Sequence, residues 1–365
     1  MKIKIPSDAI PELRKLIRIK NDNIFASDVF LNYLLNSNQL SLEREFKRRS
    51  ANANYKDQHY ASTLVDALAS NSRQEKELLL SHLDGRCALL SSDYYQRNAF
   101  LKAIDFSEQT LGKWRLTFDH YSPFQAFTYR DIHITASNFE EKTRLGFFEE
   151  NFSFPVIMEN DRVWMSVTPH EIETMEPAIE ASRGVVVVMG LGLGYFPFMI
   201  AQKEGVKKVV IFEKDKDIIV LFSSFLLPQF PNNEKITVVQ ADALLNFNEC
   251  LANSNPDYVF IDIWQSVDDG LPLFVKFKEK EKEFPATRFS YWIEKSLIAM
   301  MRRVIITIFE EALEGYMFTD YQKVKDPIDE IFSRIFEKLT RCNFNNFDDI
   351  SQLLTDEGID SLLKQ

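Results

Sequence analysis

The chain has 365 residues, 45% of them hydrophobic, 31 phenylalanines among them, and a formal net charge of −11. That length accommodates two domains, or one large domain with appendages. The acidic balance argues against duplex nucleic acid as a main partner, because phosphate binding requires a basic face, and the basic clusters Lys47-Arg48-Arg49 and Lys207-Lys208 are small and flanked by acids.

No stretch approaches the roughly 18 consecutive apolar residues of a membrane span. The N-terminus, MKIKIPSDAIPELRKLIRIK, has neither the apolar run nor the cleavage site of a signal peptide. Cys87, Cys250 and Cys342 are far apart and lack metal-ligand spacing; they read as reduced thiols. A cytoplasmic protein with no metal site and no membrane partner is expected.

Residues 1 to about 110 read as mainly helical. Pro11 stands near the start of a helix carrying Leu13, Leu16 and Ile17. Ser27-Asp28 precede another, with Phe30, Leu31, Tyr33, Leu34 and Leu35 on its apolar side. Glu75 to Leu83 is a helix closed by Asp84-Gly85, and in Tyr94 to Ile104 the residues Tyr95, Phe100, Leu101 and Ile104 share a face. His59 and His82 stand alone and read as solvated or hydrogen-bonded. Beyond Leu111, Trp114, Leu116 and Phe118 alternate, as do Ile132 and Ile134, which is the period of short strands. A hairpin follows, Phe152 to Met158 and Val163 to Val167 around Glu159-Asn160-Asp161-Arg162. Thr168 or Pro169 then starts a helix with acids in its first turn and with Ile172 and Met175 toward the core. His170 is a secondary catalytic candidate there.

Four valines and Met189 follow Gly184, reading as a strand buried on both faces, as in a parallel sheet. Gly190, Gly192 and Gly194 crowd into a turn, and Tyr195 to Ile200 opens an apolar helix that Gly205 ends. A second strand, Lys207 to Phe212, finishes on Glu213, about 20 positions after the first glycine, as a nucleotide-binding βαβ unit requires. Glycines let backbone N–H groups approach a ligand, and the helix that follows turns its positive end toward it. A carboxylate at the second strand's tip accepts hydrogen bonds from the hydroxyls of a ribose. Asp215 caps the next helix, and Lys235 to Gln240 is a third strand ending at Ala241-Asp242-Ala243, where Asp242 can cap the helix through Leu244, Leu245 and Phe247. Pro256 to Trp264 is a fourth buried strand with Asp262 at its carboxyl end, the edge at which open α/β sheets bind ligands. Glu213, Asp242 and Asp262 thus end three successive strands.

Leu271 to Phe284 reads as a helix with a charged, solvated exit. Phe289 to Glu314 reads as a helix, with Val304 to Ile308 the alternative for a fifth strand. From Pro327 onward, two or three short helices pack on the main body.

A dinucleotide site requires G-x-G-x-x-G/A, but three positions after Gly192 stands Tyr195. The pattern is G-x-G-x-G. With Glu213-Lys214-Asp215 closing the second strand, residues 152–263 resemble the class I methyltransferases that bind S-adenosylmethionine, and within them the spermidine-synthase-like branch. The resemblance implies an α/β fold with a doubly wound, Rossmann-like methyltransferase sheet at 151–320. A mainly helical N-terminal domain with a few short strands (1–150) precedes it, and a helical tail (321–365) follows. It implies S-adenosylmethionine as cofactor, with Gly190, Gly192 and Gly194 around its amino-acid end and Glu213 and Lys214 at the ribose. Asp242 and Ala243 stand at the adenine, and Asp262 is both cofactor-binding and the catalytic candidate. Trp264 and Tyr291 are candidate aromatics for the pocket of a small-molecule acceptor.

The chain departs from the aminopropyltransferases of that branch at Leu193, where an aspartate is usual inside the glycine loop, and at Gln265, where a second acid is usual. Asp268 and Asp269 arrive later. Methyl transfer to an unidentified acceptor is therefore the expected activity, with aminopropyl transfer or non-catalytic nucleoside binding as alternatives.

Overall fold

The computed structural model describes residues 3–35, 42–50, 56–69, 72–315 and 324–365. The expected boundary at 320–321 lies outside these. The centre is an all-parallel sheet of five strands: β1 Gly184–Met189, β2 Val206–Glu213, β3 Ile236–Gln240, β4 Tyr258–Ile261 and β5 Arg288–Tyr291. Their spatial order is β3-β2-β1-β4-β5. Val187 pairs with Val210 on one side and Val259 on the other, and all of Val186 to Met189 is buried. A strand with neighbours on both edges and cover on both faces needs this unbroken apolar run.

The chain leaves β1 in one direction through β2 and β3, then returns to the far side of β1 as β4. The strand order thus reverses at β1, and it is outside the carboxyl ends of the strands at such a reversal that open α/β sheets bind ligands. The sheet helices are α1 Pro169–Ala181, α2 Tyr195–Ala201, α3 Lys216–Leu221, α4 Phe247–Ser254, α5 Val267–Glu281 and α6 Glu294–Glu314.

Beside this body an antiparallel sheet orders strands 109–111, 114–121, 152–159 and 162–166. Its last two strands are the expected hairpin, turning at Asn160 and Asp161, both at positive φ. Three short helices close the chain, Pro327–Thr340, Phe347–Leu353 and Asp356–Lys364. One hydrophobic core takes residues from Ile3 to Leu363, and a second, smaller one runs from Ala26 to Phe147.

Three expectations need correction. Ile10–Leu35 is a single helix, so Ser27-Asp28 start nothing. Leu13, Leu16, Lys20, Asn23, Ala26, Phe30 and Tyr33 continue one buried face through the site, and the Ser27 hydroxyl accepts from Arg303 at 2.9 Å instead of capping. Tyr94 to Ile104 divides into Ser92–Gln96 and Ala99–Ala103, because the Asn98 side chain accepts from the Phe100 N–H and starts a new helix. The helix expected over Phe289–Glu314 begins only at Glu294. Val304 to Ile308 lies within it, and Arg288–Tyr291 is the fifth strand instead.

Candidate functional site

β1 delivers the chain into the turn Gly190-Leu191-Gly192-Leu193-Gly194 at the reversal of strand order. Gly190 has φ +97°, and a Cβ there would stand 1.9 Å from the Asp262 carbonyl oxygen. At Gly192, φ +52°, a Cβ would meet the Met165 side chain at 2.5 Å. A backbone neighbour therefore requires glycine at Gly190, whereas at Gly192 the positive φ favours it and the flexible Met165 side chain can yield. The turn is pressed on one side against the end of β4 and covered on the other by the hairpin. Tyr195, which follows it, points into the N-terminal segment, where its hydroxyl accepts from Asn98 at 3.2 Å and its ring meets Phe100 edge-on.

At the end of β2 the Glu213 carboxylate folds back on this turn. One oxygen accepts from the Leu191 N–H at 3.2 Å and the other from the Asp215 N–H at 2.8 Å. Carboxylate oxygens each offer about two lone-pair sites, so acceptor capacity remains. Asp215 caps α3 through the N–H groups of Asp217 and Ile218. After β3, Asp242 caps its own turn: Oδ1 accepts from Leu244 and Leu245, each at 2.9 Å. Ala243 is buried and Lys214 is exposed; Leu245 is 81% exposed and Val239 is also exposed.

The end of β4 carries the buried charge. Asp262 closes a small cavity with Glu171, Met165, Met175, Gly190, Leu191 and Leu193. Its volume is about 20 Å³, room for one water molecule. Both carboxyl groups are buried, and Glu171 Oε2 has no hydrogen-bond partner among the described residues. Burial pushes Asp262 up to about 7. Burial, then the charge of Asp262, raises Glu171 well above the usual carboxylate range. Both shifts favour the protonated form, so the pair holds a proton at neutral pH.

Glu171 escaped the sequence reading. Its only signals are its place on the segment before β1 and its i,i+4 spacing to Met175, which put both on the cavity face of α1. Other candidates lie elsewhere. Trp264 is buried against Gly270 and stacks on Tyr291 with 6.2 Å between centroids, and the Tyr291 hydroxyl donates to Glu281 at 2.6 Å. Neither aromatic lines the cavity. His170 is half-buried, edge-on to Trp292 and with its Nδ1 shielded from solvent, and desolvation holds it down at about 4, hence neutral at physiological pH. Asp269 accepts from the Gln265 and Ser266 N–H groups as the capping box of α5, so it does not turn toward Asp262.

No family model matches this chain, and no curated protein matches it either. Among the described residues, no helix is long and apolar enough to cross a membrane.

Proposed function

We propose that this chain binds S-adenosylmethionine across the carboxyl edge of its parallel sheet and transfers the methyl group to a small-molecule acceptor. The observation that carries the reading is the Glu213 carboxylate turned onto a glycine turn whose other side abuts Asp262. In this reading the cofactor's amino-acid end lies at Gly190, Gly192 and Gly194, its ribose at Glu213 with Lys214 alongside, and its adenine at Asp242 and Ala243. The exposed side chains of Val239 and Leu245 offer apolar surface to the base.

When bound, the cofactor supplies an electrophilic methyl on a cationic sulfonium. The protein aligns the two reactants and excludes water. Asp262, buried and near neutrality in its titration, faces the cation and is the group placed to take a proton from the acceptor. A cavity of about 20 Å³ is far below the roughly 300 Å³ of a small-ligand pocket. Met165 lies on Gly192, so its flexible side chain has to move aside as the ligand enters.

Aminopropyl transfer is a second reading, favoured by one observation. A diamine needs carboxylates on both sides of the reacting carbon, and α1 supplies Glu171 as the second buried acid beside Asp262. Product analysis with the full and the decarboxylated donor separates the two readings.

Thermal melting of the full chain with S-adenosylmethionine or its demethylated product tests the binding itself. A hundredfold excess over the dissociation constant stabilises by about 2.7 kcal/mol, a visible shift. Unchanged melting with both ligands at millimolar concentration overturns the assignment.

A further inference from the structure

The helix α1 borders two spaces. Glu171 and Met175 face the cavity described above, whereas Glu173, Thr174 and Pro177 face an open cleft of about 430 Å³. The far wall of that cleft carries Arg130, Asp131 and Arg144, and its floor is the passage from β5 into α6, with Lys295.

Most charges in the cleft are already matched. Arg130 pairs with Glu173 at 2.6 Å, and Asp131 caps α6 by accepting from the Lys295 N–H and the Ser296 hydroxyl. Glu294 is held by Lys278 and Asp356 by Arg302. Arg144 is different. Among the described residues its guanidinium hydrogen-bonds only to His133 Nδ1, at 3.5 Å, and its Nε is buried without an acceptor, while the Asp131 carboxylate acts on it as a countercharge without a hydrogen bond. Lys295 has no ion pair there either. The nearby Arg86 also has a buried Nε with no acceptor. His133 reports the local field: burial, then Arg86, Arg144, Lys142 and Lys295, hold it below its ordinary value. Lys142 is paired with Glu140 at 3.8 Å, which leaves Arg86, Arg144 and Lys295 as the cations near His133 with no ion pair among the described residues, in a chain whose net charge is −11. Glu176, exposed, and the half-buried Asp131 are the acids of the cleft with no ion pair among the described residues.

A buried guanidinium N–H that lacks an acceptor costs folding free energy unless a ligand supplies one. Planar guanidinium groups match the oxygens of phosphates and carboxylates. We propose that this cleft is a binding site for a small anion-bearing molecule, its phosphate or carboxylate held by Arg144 with Lys295 and Arg130 at its rim. The site is separate from the glycine turn and does not depend on the methyl-transfer reading.

The test is calorimetric titration and thermal melting of the full chain with inorganic pyrophosphate and, separately, citrate. Sodium chloride at matched ionic strength is the control. We expect at least one of the two anions to bind and to raise the melting temperature above the control; which one does so tells phosphate from carboxylate. Arg144→Gln is expected to weaken that binding about tenfold or more, and Lys295→Gln by a smaller factor. Arg144→Lys, which keeps the charge and loses the planar fork, replaces Arg144→Gln should the latter fail to fold, and is also expected to weaken binding. Overturning results are no binding beyond the chloride control, or variants that bind the anion as the wild type does.

Discussion

Burial, more than any neighbour, sets the state of Asp262. Its carboxyl is pushed up to about 7, and Glu171 is raised as well. Folded values above the unfolded ones mean that the native state binds the extra protons. The stability these groups contribute is present in full below the ordinary carboxylate range and is lost as pH rises through about 7. Asp262→Asn removes that loss at one of the two groups. We expect the variant to exceed the wild type in stability at about pH 8 by about 2–4 kcal/mol, and to lose the advantage near pH 4. Urea unfolding at both pH values measures this, and no difference at about pH 8 would mean that water reaches Asp262. The same titration bears on the ligand. S-adenosylmethionine should bind more tightly relative to its demethylated product, whose sulfur is neutral, as Asp262 ionises, between about pH 6 and pH 8; a constant ratio would remove Asp262 from the sulfonium. Asp262 was legible in the sequence because the end of a buried strand is a recognisable place. Glu171 was not, because only the tertiary placement of α1 brings it to the same cavity.

Among the elements, the glycine turn and the hairpin carry the strongest constraints. Gly190→Ala places a methyl group 1.9 Å from a backbone oxygen at the end of β4, where no flexible side chain can yield. We expect a destabilisation of at least about 3 kcal/mol, measured by denaturant unfolding; a near-neutral result would mean that β1 and β4 are spaced more widely. Met165 is a softer obstacle. Met165→Ala uncovers Gly192, so faster association of S-adenosylmethionine in stopped-flow mixing is expected, and an unchanged rate would mean that Met165 does not gate entry. Strands β1 to β4 could be read from their continuous apolar runs. β5 could not: it is four residues long, it begins with the exposed Arg288, and only Tyr291 in it is fully buried. Apolar residues at helical spacing follow at once, so the longer period hides the shorter one. Ser27-Asp28 misled for a different reason, since a capping residue type also serves tertiary contacts, here with Arg303.

At the scale of the whole molecule, the C-terminal helices are tied to the sheet by a buried ion cluster. Lys278 on α5 stands 3.1 Å from Glu281, 2.9 Å from Glu294 and 3.0 Å from Asp360, and Lys364 pairs with both Glu281 and Asp360. Glu294, Asp360 and Lys364 are about a third exposed, so loss of Lys278 falls mainly on the buried Glu281, which keeps Lys364 alone as its cation partner. Lys278→Met should cost about 3–5 kcal/mol in unfolding experiments, and a loss below about 1 kcal/mol, the worth of a surface pair, would show the cluster to be solvated. This connection was invisible in the sequence, where Lys278 and Glu281 belong to a charge run that reads as a solvated face.

The central claim is that the glycine turn and Glu213 together hold the nucleoside of S-adenosylmethionine, and paired calorimetric titrations of the wild type and Glu213→Gln test it most directly. The amide keeps one acceptor oxygen for the two backbone N–H groups now bound, so a stability cost of about 1 kcal/mol is expected. We expect the wild type to bind and the variant, still folded, to bind about ten- to a hundredfold more weakly. Absence of binding heat in the wild type, or equal affinity in the folded variant, would contradict it.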